Sequence, residues 1–230
     1  MITIHEDAFC RIEANFAPDP LHKRVLISFT GVGHGMGGID VQRPEFFGAG
    51  RAFDNVIFIS DVTRSWGNAL DFDLILENLR PYVDQKRVFM IGNSMGGFLS
   101  VLMSNFLETE ACIAFVPQFS VSGKIVRFEH RWRNYRHYIK DFKYPSLEGR
   151  FNQSTRYYLF SGASWPDRKH WKRFPHQDNV QNIIIGKSAH NLAVELKSTG
   201  KLASLISACF DGDFSLEWMT DTLGITAKRV

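Results

Sequence analysis

The chain has 230 residues, 44% of them hydrophobic and 22% charged, enough apolar material for one sizeable core and too much for a disordered or collagen-like polypeptide. A net charge of +3 does not argue for nucleic-acid binding, although it tolerates an anionic substrate. Cys10, Cys112 and Cys209 form no CxxC pair and suggest neither a disulfide framework nor a zinc site, so no metal and no cofactor is expected.

Met1 to Asp7 lacks a basic stretch followed by an apolar one, so the expectation is a cytoplasmic protein without a secretory signal. Short β-branched and aromatic runs then recur: Val25 to Phe29, Val56 to Ile59, Val88 to Ile91, Ala111 to Val116, Tyr157 to Phe160 and Val180 to Ile185. They lack polar alternation, as strands do when both sheet faces are covered, and none approaches the ~20 apolar residues of a membrane span. Helical spacing joins Phe72, Ile75, Leu76 and Leu79, then Phe98, Leu99, Leu102, Met103 and Phe106, then Leu202, Leu205, Ile206, Cys209 and Phe210, with Phe214, Trp218 and Met219 marking a last helix. Parallel strands need crossover connections, so the alternation predicts an α/β domain with a mostly parallel sheet flanked by helices on both faces. No linker or repeat divides residues 1–230, and a single domain is expected, with residues 117–154 as a lid or inserted segment.

The sharpest local signal is Gly92-Asn93-Ser94-Met95-Gly96, directly after the strand Arg87 to Ile91 and directly before a helix. In that setting G-x-S-x-G is a nucleophile elbow: small neighbours permit a tight turn, and the helix N-terminus offers N–H groups and a positive dipole end to a developing oxyanion. The alternative is a structural turn in which Ser94 only caps the helix.

On Gly92 to Gly97 the chain resembles the α/β-hydrolase superfamily, whose triads run serine, acid, histidine. The resemblance extends in motif order from about Val25 to Ala208. It implies the α/β-hydrolase fold and a serine esterase that forms an acyl-enzyme. It places the base at His190, in the loop after Ile183-Ile184-Ile185, with His176 in reserve. The acid falls on Asp167, beyond Tyr157 to Phe160 and the loop Ser161 to Pro166; Asp178 competes, but it immediately precedes the next strand and belongs to the opposite sheet edge. Oxyanion donors would be the amides of Met95 and of Val32, in Thr30-Gly31-Val32, with Gly33 as the alternative to Val32. Thioesterase, acyltransferase and carbon–carbon hydrolase chemistry fit the same triad.

Two readings compete with or extend this one. Gly31 to Gly38 satisfies G-x-G-x-x-G, the mark of a nucleotide-binding protein, yet Ile39 to Asp54 shows no helical period to carry the pyrophosphate. A binding protein that keeps the fold without turnover is the other class. Within the insert, Lys124 to Lys143 is basic and aromatic, which nominates Arg131 and Arg133 as ligands for an anionic substrate, against the plainer reading of a solvated amphipathic helix. The expected partner is thus a small-molecule or glycan-linked acyl substrate, anionic ones included, with neither nucleic acid nor membrane involved.

Overall fold

The computed structural model describes residues 1–16, 23–36, 39–53, 55–186 and 188–230, with backbone alone at 34–36, 39–40 and 51–52. A nine-stranded sheet runs through it in the order β1-β2-β6-β3-β7-β8-β9-β10-β11. Its strands are β1 (Ile2–Glu6), β2 (Cys10–Phe16), β3 (Arg24–Phe29), β6 (Asn55–Asp61), β7 (Arg87–Asn93), β8 (Ala111–Phe115), β9 (Arg156–Gly162), β10 (Val180–Ile185) and β11 (Ala227–Arg229). The six apolar runs of the sequence are the parallel strands β6, β3, β7, β8, β9 and β10. The strands of this sheet that sequence reasoning did not find, β1, β2 and β11, are antiparallel additions at the two edges.

Alternate side chains of the central strands enter different cores, which is why their sequences are apolar throughout. Val25, Ile27, Phe29, Val88 and Met90 pack with helices α1 (Phe72–Val83) and α2 (Met95–Met103). Leu26, Phe89 and Ile91 pack on the other face with α5 (Leu192–Ser198), α6 (Leu202–Asp211) and α7 (Leu216–Leu223). The remaining helices are α3 (Arg133–Arg136) and α4 (Trp165–Trp171). Among the described residues, no helix is long and apolar enough to cross a membrane.

From β3 the chain goes outward to β6, and α1 then returns it to β7 on the other side of β3. Strand order therefore reverses around β3, and the carboxyl ends of β3 and β7 flank a topological switch point, the usual ligand crevice of open α/β sheets. The glycine loop after β3 opens no helix. It enters a hairpin, β4 (His34–Met36) paired with β5 (Ile39–Val41), followed by a 3-10 turn at Phe47–Ala52. Gly37 and Gly38 lie outside the described residues, but the dinucleotide reading fails on the strand that follows them, because no helix N-terminus is available for a pyrophosphate. The 117–154 segment holds one four-residue helix, α3, so the amphipathic helix expected over Lys124 to Lys143 is not formed.

Candidate functional site

The elbow is explained by close approach of backbone. A Cβ on Gly92 would overlap the carbonyl of Gly96, and one on Gly96 would overlap the carbonyl of Phe29 at the end of β3. Glycine at both positions lets α2 start directly over β3 and β7. Ser94 is left at φ 56° and ψ −117°, a backbone region that costs a non-glycine residue on the order of 1–3 kcal/mol. Its N–H donates to the carbonyl of Phe115 on β8, 2.8 Å away. The hydroxyl makes no capping bond to α2, which removes the reading of Ser94 as a mere helix cap.

Ser94 Oγ lies 3.0 Å from His190 Nε2, and His190 Nδ1 lies 3.0 Å from Asp167 Oδ1. An ionised carboxylate only accepts, so Nδ1 carries the ring proton and Nε2 is left to accept from the serine hydroxyl. The three sequence-predicted residues are thus brought together, and His190 rather than His176 is the histidine on Ser94. The His190 loop is pinned where β9 ends: the N–H of Ala163 donates to the carbonyl of Ser188 at 2.9 Å, and a Cβ on Gly162 would overlap that same carbonyl.

Asp167 sits in the first turn of α4 rather than in the open loop that the sequence suggested. The helix begins at Trp165, two residues earlier, and Ser164 Oγ donates to Asp167 Oδ2 at 2.7 Å. The side chain is 4% exposed. Burial alone would raise its pKa, but the hydrogen bond and charge of His190 and the charge of Arg131 outweigh it and hold the pKa at about 2.

Arg131 is placed differently from the expectation. Instead of facing a substrate anion, it donates from one terminal nitrogen to Asp167 Oδ1 at 2.9 Å and from the other to Glu129 Oε2 at 2.6 Å. Glu129 is fully buried and also accepts from His170 Nε2 at 2.9 Å, while His170 Nδ1 accepts the N–H of Phe119 at 3.1 Å. Burial lowers the basicity of His170, and the neutral ring fits its two bonds, one donated and one accepted. Arg133 donates to His130 Nδ1 at 3.0 Å and lines a surface hollow with Arg136 and His137. Trp132, between the two arginines, packs its ring 5.7 Å from that of His190, so the insert does reach this cluster, through an aromatic side chain.

Sequence reasoning missed Gln118. It is fully buried, its Nε2 is 2.8 Å from Ser94 Oγ, and its Oε1 accepts from Trp66 Nε1 at 3.0 Å. The signal available was its position just past the carboxyl end of β8, the sheet edge that also carries Ser94.

At the loop after β3, the N–H of Thr30 is bonded to Ile59 and that of Gly31 to Glu45 Oε1, while the carbonyl of Val32 accepts from Arg64 Nε. A cavity of about 630 Å³ opens alongside, lined among others by Gly33, Glu45, Phe46, Asn93, Lys197 and Leu202. Asn93 is the residue before Ser94, so this cavity abuts the elbow from the α5–α6 side.

No protein-family model matches the sequence, and no curated protein matches it either. Solved structures do match. The capsule O-acetyltransferase of Neisseria meningitidis serogroup A is similar with a TM-score of 0.54 at 12% identity, over 86% of this chain and 93% of that one. A lidless α/β serine hydrolase from Xanthomonas campestris gives 0.51 at 12% identity, over 89% of each chain. An α/β hydrolase from a Medee basin deep-sea metagenome gives 0.55 at 12% identity, over 90% of this chain and 95% of that one. With the strand order, the switch point and the elbow, these likenesses show that the chain has the α/β-hydrolase fold.

Proposed function

We propose that this protein is a serine hydrolase acting on a carboxylic ester or related acyl substrate, in the cytoplasm and without metal or cofactor. One observation carries the reading: a serine in a strained turn at the switch point, 3.0 Å from an imidazole that is itself 3.0 Å from a buried carboxylate. A serine hydroxyl is a weak nucleophile until a base takes its proton, and this arrangement supplies one.

In the proposed reaction Ser94 Oγ adds to the acyl carbon as its proton passes to His190 Nε2. Asp167 keeps the imidazole in the required tautomer and offsets its positive charge. The carbonyl oxygen becomes an oxyanion facing the amide of Met95, the first residue of α2, and the amide of Val32; the preceding amides of Thr30 and Gly31 are already bonded elsewhere. The imidazolium then protonates the leaving alkoxide, and the acyl-enzyme is cleaved by water through the same steps in reverse.

A second reading differs only in the acceptor. An O-acetyltransferase shares this fold over 86% of the chain, and a sugar hydroxyl in place of water would make the reaction acyl transfer. A fluorophosphonate probe tests the common core: it labels the native protein at Ser94 and does not label Ser94→Ala. Absence of labelling in the native protein would favour a binding protein without turnover. Among p-nitrophenyl esters, release that accelerates with added sugar alcohols identifies transfer, and release indifferent to them identifies hydrolysis.

A further inference from the structure

Gln118 touches the reacting atom. Which end of its carboxamide does so follows from its other neighbour. An indole N–H donates and cannot accept, so the end that faces Trp66 Nε1 at 3.0 Å is the carbonyl, and the NH₂ group is the end 2.8 Å from Ser94 Oγ. Ser94 has one proton and two lone pairs. His190 Nε2 has only a lone pair to offer, because Nδ1–H is committed to Asp167. The serine proton therefore goes to His190, and Gln118 donates to a lone pair of Oγ.

We propose that Gln118 is a catalytic residue, its carboxamide donating to Ser94 Oγ both when that oxygen attacks and when it leaves. The inference rests on Ser94 being the nucleophile. During attack the Oγ–C bond forms, the carbonyl π pair moves to the carbonyl oxygen, and the Oγ proton moves to His190; until the bond is complete, Oγ carries negative charge that the Gln118 N–H stabilises. In the acyl-enzyme Oγ is the ester oxygen. When water has added and the tetrahedral adduct collapses, the C–Oγ bond breaks, its electron pair returns to Oγ, and His190 restores the proton. The same N–H faces the same oxygen as that charge reappears.

The backbone around this contact is strained. Among the described residues, Ser94 at φ 56°, Trp66 at φ 52° and Val116 at φ 42°, two residues before Gln118, are all left-handed without being glycine. For a β-branched valine that is a marked outlier. The Trp66 turn is held from below by the buried Asp61 carboxylate, which accepts from Thr63 Oγ1, from Ser65 N and Oγ, and from Gly67 N. Such strain persists where surrounding structure enforces it, and here three separate chain segments meet in one hydrogen-bonded chain, from Trp66 through Gln118 to Ser94.

The test measures the rate of fluorophosphonate labelling and the thermal midpoint of the full chain. In Trp66→Phe with Gln118→Met both polar partners become apolar, so neither a donor nor an acceptor is left stranded in the core, and labelling slows by about 10²-fold. Gln118→Glu keeps the shape but turns the donor into an acceptor that competes for the serine proton, and slows labelling further. Trp66→Phe alone frees the carboxamide to turn and slows labelling several-fold. This single variant carries the test if the double one does not fold. Labelling at the native rate in the double variant, or in the single one where it must stand in, overturns the role of Gln118 and leaves Ser94 intact. A native protein that is not labelled, or a Ser94→Ala protein that is, overturns both.

Discussion

Ser94 has two flanks, built in different ways. On the elbow side everything is local: β7, the turn and α2 follow one another within residues 87–103, and glycine at 92 and 96 is dictated by carbonyls a Cβ would strike. On the insert side little is regular. Residues 117–154 hold a single turn of helix, and their grip on the site comes from side chains: Gln118 on Ser94, Arg131 on Asp167, Trp132 against His190. Backbone packing aims Ser94, whereas a buried polar chain from distant parts of the sequence holds the groups that would activate it.

The largest expected effect separates the two flanks at the acid. Asp167→Asn preserves shape and removes charge, so His190 can adopt the wrong tautomer, and turnover of p-nitrophenyl acetate should fall by roughly 10³–10⁴-fold. The elbow should be untouched, with the thermal midpoint at neutral pH lowered only modestly. Native turnover in this variant would move the acid elsewhere and dissolve the comparison.

Next in size is Arg131→Met, which cuts the insert's polar chain. Glu129, fully buried, would keep His170 but lose its cation, and stability should fall by about 3 kcal/mol, read from urea unfolding. Turnover should drop only about tenfold, since Asp167 retains His190 and Ser164. Arg131 acts through Asp167, so the pH profile distinguishes positioning from mere scaffolding. Without the guanidinium, the Asp167 carboxylate acts on the His190 imidazolium undiminished, and the acidic limb of kcat/KM moves to higher pH. An unmoved limb with lost stability would reduce Arg131 to a structural strut. Adding Glu129→Gln should restore part of the stability, because the stranded charge is then gone.

The same division governs what the sequence disclosed. The six parallel strands were legible because burial on both faces leaves unbroken apolar runs, and Ser94 was legible because its turn demands glycines at fixed spacing. The residues at 167 and 190 followed from the serine, acid, histidine order that the resemblance to the α/β-hydrolase superfamily implies. Edge strands β1, β2 and β11 escaped notice, being short or half-exposed, though Cys10, Ile12 and Ala14 do alternate inward along β2. The start of α4 was hidden because Ser164, Trp165 and Pro166 read as a loop, while Pro near a first turn is equally a helix opening. Gln118, Glu129 and His170 had no period to betray them. Their partners lie 24, 41 and 52 residues away, and a lone polar residue in an irregular segment looks the same whether buried or solvated. Arg131 was misassigned for the same reason: a cluster of basic residues shows charge, but not the buried carboxylates that consume it.

The smallest expected effect asks which flank owns the loop after β3. Its Gly31 N–H donates to Glu45, whose carboxyl burial pushes up to about 7 against that one hydrogen bond. A carboxyl whose folded value lies above its ordinary 4.5 favours the folded state below that pH, and the benefit is lost as pH rises through about 7. Glu45→Gln keeps an oxygen for Gly31 and carries no charge, so it should match the native protein near pH 4 and exceed it in stability at pH 8. Equal stability of the two proteins at both pH values would show that Glu45 is solvated. The labelling rate then assigns the loop. Gly31 also packs against the carbonyl of Asn93, with room for a Cβ only at 3.1 Å, so a loop held by that backbone contact should label at the native rate in Glu45→Gln. A slowed rate would mean that a side chain sets the Val32 amide, and that the oxyanion side is built as the insert is, from polar contacts across the sequence.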